Sequence, residues 1–416
     1  MKRFVLFGSL CASLFSSQVP SYAETSVMPA RFGYAADGQN PTVDKTKTVE
    51  PAKVCTEFGE GYFYVPGTDT DTCLRISGEV RADYRFYEPA PLNYSTTKPK
   101  ATRNRAQDEY DFRGEGRIKF DARTHTEYGL LRSFFQVNAR VGRNSESEIG
   151  STFVIDKAFL QFDGWTAGFA HTYFGIYDLD YAHSIFGPYY SSQSTVNLLA
   201  YTADFGRGFS ATTSIEDGGE HRTTVDPPIE IGGESFGYGG KRIPDLVDIL
   251  RLQRDWGQVA AFGALHEVRY ALPGYDTDLG WAVGGSATIK VPSINGEFVV
   301  EGTYTDGGMN YLGLSTPDAS YVRETSAFAT NKGWSLTGEF GAPLTPAIKA
   351  YLVGSFVNVD MAVGKDFTKS AVTGDVRYSV GKGFEIIGEL SYLNQKLDSS
   401  GSEEAWAGGV RLRRTY

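Results

Sequence analysis

From Asp111 to Arg123 the chain reads D-F-R-G-E-G-R-I-K-F-D-A-R, with a charge at every odd position and an apolar residue or Gly at every even one. A helix would scatter charges of period two around its circumference, whereas a strand sends them all to one face, so the pattern predicts a strand. Such a strand is either the edge of a soluble sandwich or the wall of a membrane barrel with its apolar face in lipid. The same dyad precedes it, where Leu74, Ile76, Gly78, Val80, Ala82, Tyr84 and Phe86 oppose Arg75, Ser77, Glu79, Arg81, Asp83 and Arg85. A turn at Thr124 to Gly129 leads into a third strand, Leu131 to Val141, with Arg132, Gln136, Asn138 and Arg140 on its polar face. Later strands repeat the pattern more weakly, as in Phe209 to Glu216, Glu297 to Thr305 and Val372 to Val380. Leu246 to Gln253 does not sort into two faces.

Short turns (Gly164-Trp165, Gly206 to Gly208, Asp255 to Gly257, Pro292 to Gly296, Gly381 to Gly383) alternate with long polar loops. That alternation is the connectivity of outer-membrane barrels. The tally is about sixteen strands, a size that leaves an aqueous channel. The last segment, Trp406 to Tyr416, keeps the alternation to the final residue, as a strand does that must pair with the first to close the sheet.

Lys2 and Arg3, an apolar run from Phe4 to Phe15 and Ser21-Tyr22-Ala23 predict a signal peptide over residues 1–23, cleaved after Ala23. Beyond it no run of 18 apolar residues occurs, so the exported chain is soluble or a barrel. Residues 24–53 lack periodicity and read as a flexible arm, leaving 54–416 for the folded domain. Cys11 falls in the leader; Cys55 and Cys73, closing a short loop in an exported chain, predict a disulfide.

The formal charge of -10 becomes -12 once Lys2 and Arg3 leave with the leader, which argues against a nucleic-acid partner. None of the five His is spaced as a metal-ligand pair, and no phosphate or dinucleotide loop is present, so no metal or cofactor is expected. Gly233-Glu234-Ser235-Phe236-Gly237 matches a nucleophile elbow, but it sits in the Gly-rich loop Asp217 to Arg242 instead of between a strand and a helix. The chain therefore reads as no enzyme.

More specific residues follow. Val54-Cys55, then Gly59-x-Gly61-Tyr62-Phe63-Tyr64-Val65-Pro66-Gly67-Thr68, then Thr72-Cys73-Leu74-Arg75-Ile76, resemble the opening of the general porins of alphaproteobacteria such as Brucella. Thr126 to Gly129, Gly208 to Ala211 with Glu216 to Gly219, and the ending Ala405 to Arg411 extend the likeness from Val54 to the C-terminus. Departures are the long arm, a small insertion at Thr68 to Asp71, and Tyr416 where such proteins usually end in Phe. The resemblance implies an all-β, sixteen-stranded, homotrimeric outer-membrane porin, set in outer-membrane lipid and lipopolysaccharide, whose third loop folds into the lumen.

A passive pore needs an opening of limited radius and a field that sorts solutes. The third long loop, about Phe174 to Val196, carries Asp178, Asp180 and six aromatics, with no Lys or Arg. Arg81, Arg85, Arg113, Arg117, Lys119 and Arg132 belong to the inward faces of the first three strands and are the candidate basic wall opposite that loop. The competing reading pairs many of them with Glu79, Asp83, Glu115 and Asp121 in a structural ladder. The expected activity is passive diffusion of ions and small hydrophilic solutes. A solute-specific channel and a soluble secreted β-sandwich are the alternatives.

Overall fold

The computed structural model describes residues 53–65, 71–88, 109–145, 148–176, 185–186, 190–192, 194–223, 225–226, 229–231, 234–271, 274–275, 277–398 and 401–416. The predicted signal peptide and nearly all of the predicted arm lie outside them. The main sheet has seventeen strands, one being the two-residue stub Phe63–Tyr64; the other sixteen form a closed antiparallel barrel. They are β1 Cys73–Glu88, β2 Tyr110–Thr126, β3 Gly129–Ser145, β4 Glu148–Phe162, β5 Trp165–His171, β6 Thr195–Asp204, β7 Phe209–Glu216 and β8 Asp245–Arg254. The circuit continues through β9 Gly257–Val268, β10 Asp278–Val291, β11 Gly296–Asp306, β12 Lys332–Thr345, β13 Ile348–Asp360, β14 Phe367–Gly381, β15 Phe384–Leu397 and β16 Gly401–Thr415.

Closure occurs between β1 and β16, in register from Glu79 opposite Thr415 to Glu88 opposite Trp406. Tyr416 completes the seam, because its backbone N–H and C=O exchange hydrogen bonds of 3.0 Å with Gly78. The apolar halves of the dyads point outward: Phe112 is 67% exposed, Val80 55% and Leu352 58%. A soluble protein would bury such a band, whereas in a bilayer it meets lipid and every backbone group is already paired around the ring. The terminal aromatic therefore belongs to the last closed pair of the barrel wall.

At one end the strands are joined by short turns at 127–128, 163–164, 205–208, 255–256, 292–295, 346–347 and 382–383. Asp163 and Gly164 both take positive φ (45° and 83°), the backbone of a two-residue hairpin whose twist matches the strands. At Gly208 (φ +71°) a Cβ would stand 1.9 Å from the Gln253 carbonyl oxygen, so only Gly fits that turn. The other end carries the long connections 89–109, 172–194, 217–244 and 307–331, although its links at 146–147 and 398–400 are short. The alternation of lengths read from the sequence thus lapses at those two places.

β8, the strand whose faces could not be sorted, carries apolar residues on both. Leu246, Asp248 and Leu250 face outward, where the Asp248 carboxylate accepts the Thr213 hydroxyl at 2.6 Å. Val247 and Ile249 face inward and are buried with Phe262 under Phe174 and Tyr311. Covered from inside, this part of the wall has no reason to be polar.

Cys55 and Cys73 form a disulfide with their Cα atoms 6.0 Å apart, packed against Tyr62. It ties the segment before the barrel to the first residue of β1. On loop-entropy grounds it contributes about 3 kcal/mol. Cys55→Ser combined with Cys73→Ser is expected to lower the temperature at which the folded electrophoretic band disappears by several degrees. An unchanged transition would show that the segment is held by its strand pairing alone.

Candidate functional site

The inner wall of β1 to β3 follows directly from alternation plus register. With odd residues inward on both strands, the β1–β2 register sets Arg75 opposite Asp121, Glu79 opposite Arg117, Arg81 opposite Glu115, Asp83 opposite Arg113 and Arg85 opposite Asp111. Each of these cross-strand pairs joins opposite charges. Glu115 is the hub: Arg117 Nε and Arg140 Nε each lie 2.5 Å from its carboxylate, with Arg113 and Arg81 at 3.7 Å. Arg113 also reaches Asp83 at 3.3 Å, and Asp83 is clasped through two bonds of 2.6 and 2.7 Å by the fully buried Arg411 of β16. Arg81 bonds Glu79, and Arg85 forks onto Asp111.

Nearer the short-turn end, Asp121 is the second hub. Arg132 and Arg123, directly opposite each other on β3 and β2, both fork onto its carboxylate at 3.0 to 3.1 Å. One buried carboxylate thereby holds two like charges together. Lys119 differs, because its cross-strand neighbours are Ser77 and Gln136. It has no ion pair among the described residues. The structure therefore brings all six predicted basic residues onto one inner surface and builds five of them into the ladder.

Loop 172–194 meets a different wall. The Ile185 and Phe186 backbone N–H groups donate to the two carboxylate oxygens of Glu389 on β15, at 3.2 and 2.6 Å. Ile176 N–H (3.2 Å) and the Ser191 hydroxyl (2.8 Å) donate to Glu301 on β11, and Tyr190 N–H donates to Ser355 on β13 at 2.8 Å. Phe186 packs edge-on against Tyr87, its ring centroid 5.8 Å away. Asp178 and Asp180, the predicted acidic face of this loop, lie outside the described residues, as does His183. Sequence reasoning missed Glu301 and Glu389, although a signal existed. Both are acids at inward positions whose cross-strand partners, Ser286 and Thr337 for the one, Asp375 and Gly409 for the other, carry no basic group.

The long-loop end is tied by a buried polar cluster. His266 Nδ1 lies 2.7 Å from Asp245, which also accepts the Tyr311 hydroxyl at 2.7 Å. Asp318 accepts from the Thr223 and Met309 N–H groups and from the Tyr238 hydroxyl. Burial, with Asp245 beside it, raises the Tyr311 hydroxyl well above its ordinary range and keeps it a donor. Burial likewise raises the Asp318 carboxyl, while the bond from Lys241 lowers that of half-buried Asp217. Among the described residues no group of three His, Cys, Asp or Glu is placed to hold a metal ion.

Chemically, the wall offers fixed dipoles around a lumen: permanently charged guanidiniums locked to carboxylates, suited to sorting charged solutes. Known proteins share the sequence pattern and the barrel. Porin Omp2b of Brucella suis is 26% identical over 391 residues, covering 89% of this chain and 92% of that protein. Porin Omp2b of Brucella abortus is 25% identical over 382 residues, with coverage of 89% and 91%. Among solved structures, the outer membrane channel DcaP of Acinetobacter baumannii superimposes with a TM-score of 0.68 at 14% identity, over 85% of this chain and 99% of that one. The anion-selective porin from Comamonas acidovorans follows the same fold, with a TM-score of 0.53 at 13% identity and coverage of 83% and 100%. The family model described as Porin subfamily matches residues 40–409, nearly the whole barrel, and the chain belongs to that family: it is an outer-membrane porin.

Proposed function

We propose that this porin is a non-specific diffusion channel for ions and small hydrophilic solutes, narrowed where loop 172–194 crosses the lumen toward the basic wall of β1 to β3. The observation that carries the proposal is the set of bonds from that loop's backbone to Glu301, Ser355 and Glu389, all on inner faces of strands remote in sequence from β5. In this reading Arg81, Arg85, Arg113, Arg117, Lys119 and Arg132 form the basic side of the opening, and Asp178 and Asp180 its acidic side. Solutes with a dipole align in the resulting transverse field, and apolar ones must displace ordered water.

The functional unit is a homotrimer embedded in lipid and lipopolysaccharide. A fold relative, OmpT of Vibrio cholerae, is described in a trimer form. Recovery from outer membranes as a detergent-soluble trimer that dissociates on heating supports this; recovery as a soluble monomer overturns it. In planar bilayers the protein is expected to give ohmic KCl conductance. Lys119→Gln removes a cation without an ion pair among the described residues and opens no buried pair, so the reversal potential under a salt gradient should move modestly toward cations. A lysine outside the permeation path would leave that potential where it was.

A further inference from the structure

A cavity of about 370 Å³ opens on the inner wall between β3, β4, β5 and β8, beneath the start of loop 172–194. Four basic side chains line it, Arg132, Lys157, His171 and Arg251, and no carboxylate does so among the described residues. Its apolar side is made by Phe134 and Phe159, stacked with centroids 5.2 Å apart and planes 22° from parallel, with Arg132 Cζ 5.2 and 5.6 Å from the two rings. A wet channel wall has no structural need for a ring pair at inward positions.

The polar groups are poised unequally. Arg132 is held by Asp121 and by the Gln161 side-chain oxygen at 2.8 Å, so its charge is partly answered from behind. Lys157 has no hydrogen-bond or ion-pair partner among the described residues. Its chain neighbour Asp156, the nearest acid in sequence, accepts instead from the Asn138 amide at 2.9 Å. The His171 ring uses Nδ1 against the Thr172 carbonyl (2.9 Å), which makes Nδ1 the donor and leaves Nε2 buried without a partner. The acids closest on the loop side are occupied too: Glu216 accepts from Thr172 and Tyr173, and Glu301 from Ile176.

We propose that this cavity is a binding subsite for small organic anions with an apolar body, such as aromatic carboxylates. The carboxylate is taken by Lys157 beside Arg132 and His171, and the ring is laid against Phe134 and Phe159. The proposal rests on the channel reading and adds a solute class to it: such anions dwell in the lumen where plain salt does not.

The test uses the full-length protein in planar bilayers bathed in KCl, with benzoate added to one side. Benzoate is expected to reduce the current saturably; acetate, with the charge but no ring, and benzyl alcohol, with the ring but no charge, should each act far more weakly. Lys157→Gln removes a charge-assisted bond and is expected to weaken the benzoate effect roughly tenfold. Phe159→Leu should weaken benzoate while leaving the weak acetate effect alone. Calorimetric titration of the detergent-solubilised protein with benzoate reads the same subsite without any current. Intact KCl conductance with no saturable benzoate effect and no binding heat, or equal benzoate affinity in Lys157→Gln, overturns the subsite. Absence of KCl conductance in the unmodified protein overturns the channel reading itself, and the binding heat then decides the subsite alone.

Discussion

Replacing Arg113 and Arg117 together by Ser is expected to enlarge the single-channel conductance and to shift the reversal potential strongly toward cations. The ladder makes this a permeation experiment more than a folding one. Without Arg113, Asp83 keeps its fork from Arg411, and without Arg117, Glu115 keeps Arg140. Glu79 likewise keeps Arg81. No carboxylate of the hub is left wholly bare, so the large penalty of an unpaired buried charge is avoided. What changes is the field. One unit charge at roughly 6 Å from an ion in water is worth about 0.7 kcal/mol, with opposite sign for the two ions of a salt. Removing two such charges therefore alters the cation-to-anion permeability ratio by roughly tenfold once screening is allowed for. Glu115→Gln supplies the mirror control, with four guanidiniums left around a neutral amide and selectivity moved toward anions. If both variants keep the parent's reversal potential and conductance, β1 to β3 line a wide part of the lumen and the opening lies elsewhere.

Much of this wall was legible because three simple rules coincide on it. Alternation assigns the faces, adjacency in sequence makes β1, β2 and β3 neighbours in space, and charges at most inward positions of β1 and β2 let one register pair opposite signs from Glu79 to Arg85 and again at Arg75. Even the exception is visible: Lys119 falls opposite Ser77 in that register and so lacks an acid. The rules failed where the lumen is not wet. Val247 and Ile249 face inward yet are apolar because Phe174 and Tyr311, 73 and 64 residues from Val247 in sequence, cover them. A periodicity test sees only the strand and not its lid. Glu301 and Glu389 read as ordinary wall acids unless their lack of a basic cross-strand partner is noticed, and alternation cannot name the groups of a distant loop that bond them, three backbone N–H groups and the Ser191 hydroxyl. The disulfide was readable from compartment and count; the inward ring pair Phe134 and Phe159 was not. Phe134 interrupts a face that reads as polar from Arg132, Gln136, Asn138 and Arg140, and Phe159 lies in a strand whose faces the alternation did not assign.

The same distant bonds carry the second large expectation. Glu301→Ala with Glu389→Ala removes the acceptors of Ile176 N–H, Ser191 Oγ, Ile185 N–H and Phe186 N–H in one step. A hydrogen bond to an ionised carboxylate is worth about 2 kcal/mol net, which is roughly thirtyfold in the equilibrium between a docked and an undocked segment for each bond lost. Two further contacts resist release: Tyr190 N–H on Ser355, and the buried packing of Ile185 and Phe186 against Ala407 and Tyr87. The loop should therefore fluctuate more than detach. In bilayers the double variant is expected to show larger mean conductance and pronounced open-channel noise, with the thermal transition of the folded electrophoretic band little changed because the barrel seam is untouched. Glu301→Gln with Glu389→Gln keeps a carbonyl acceptor at each place and should fall between the two, which separates loss of the bonds from loss of the charges. A double Ala variant as quiet as the parent, at the same conductance, would mean that the loop is held by its apolar contacts and that the two acids merely lie beneath it.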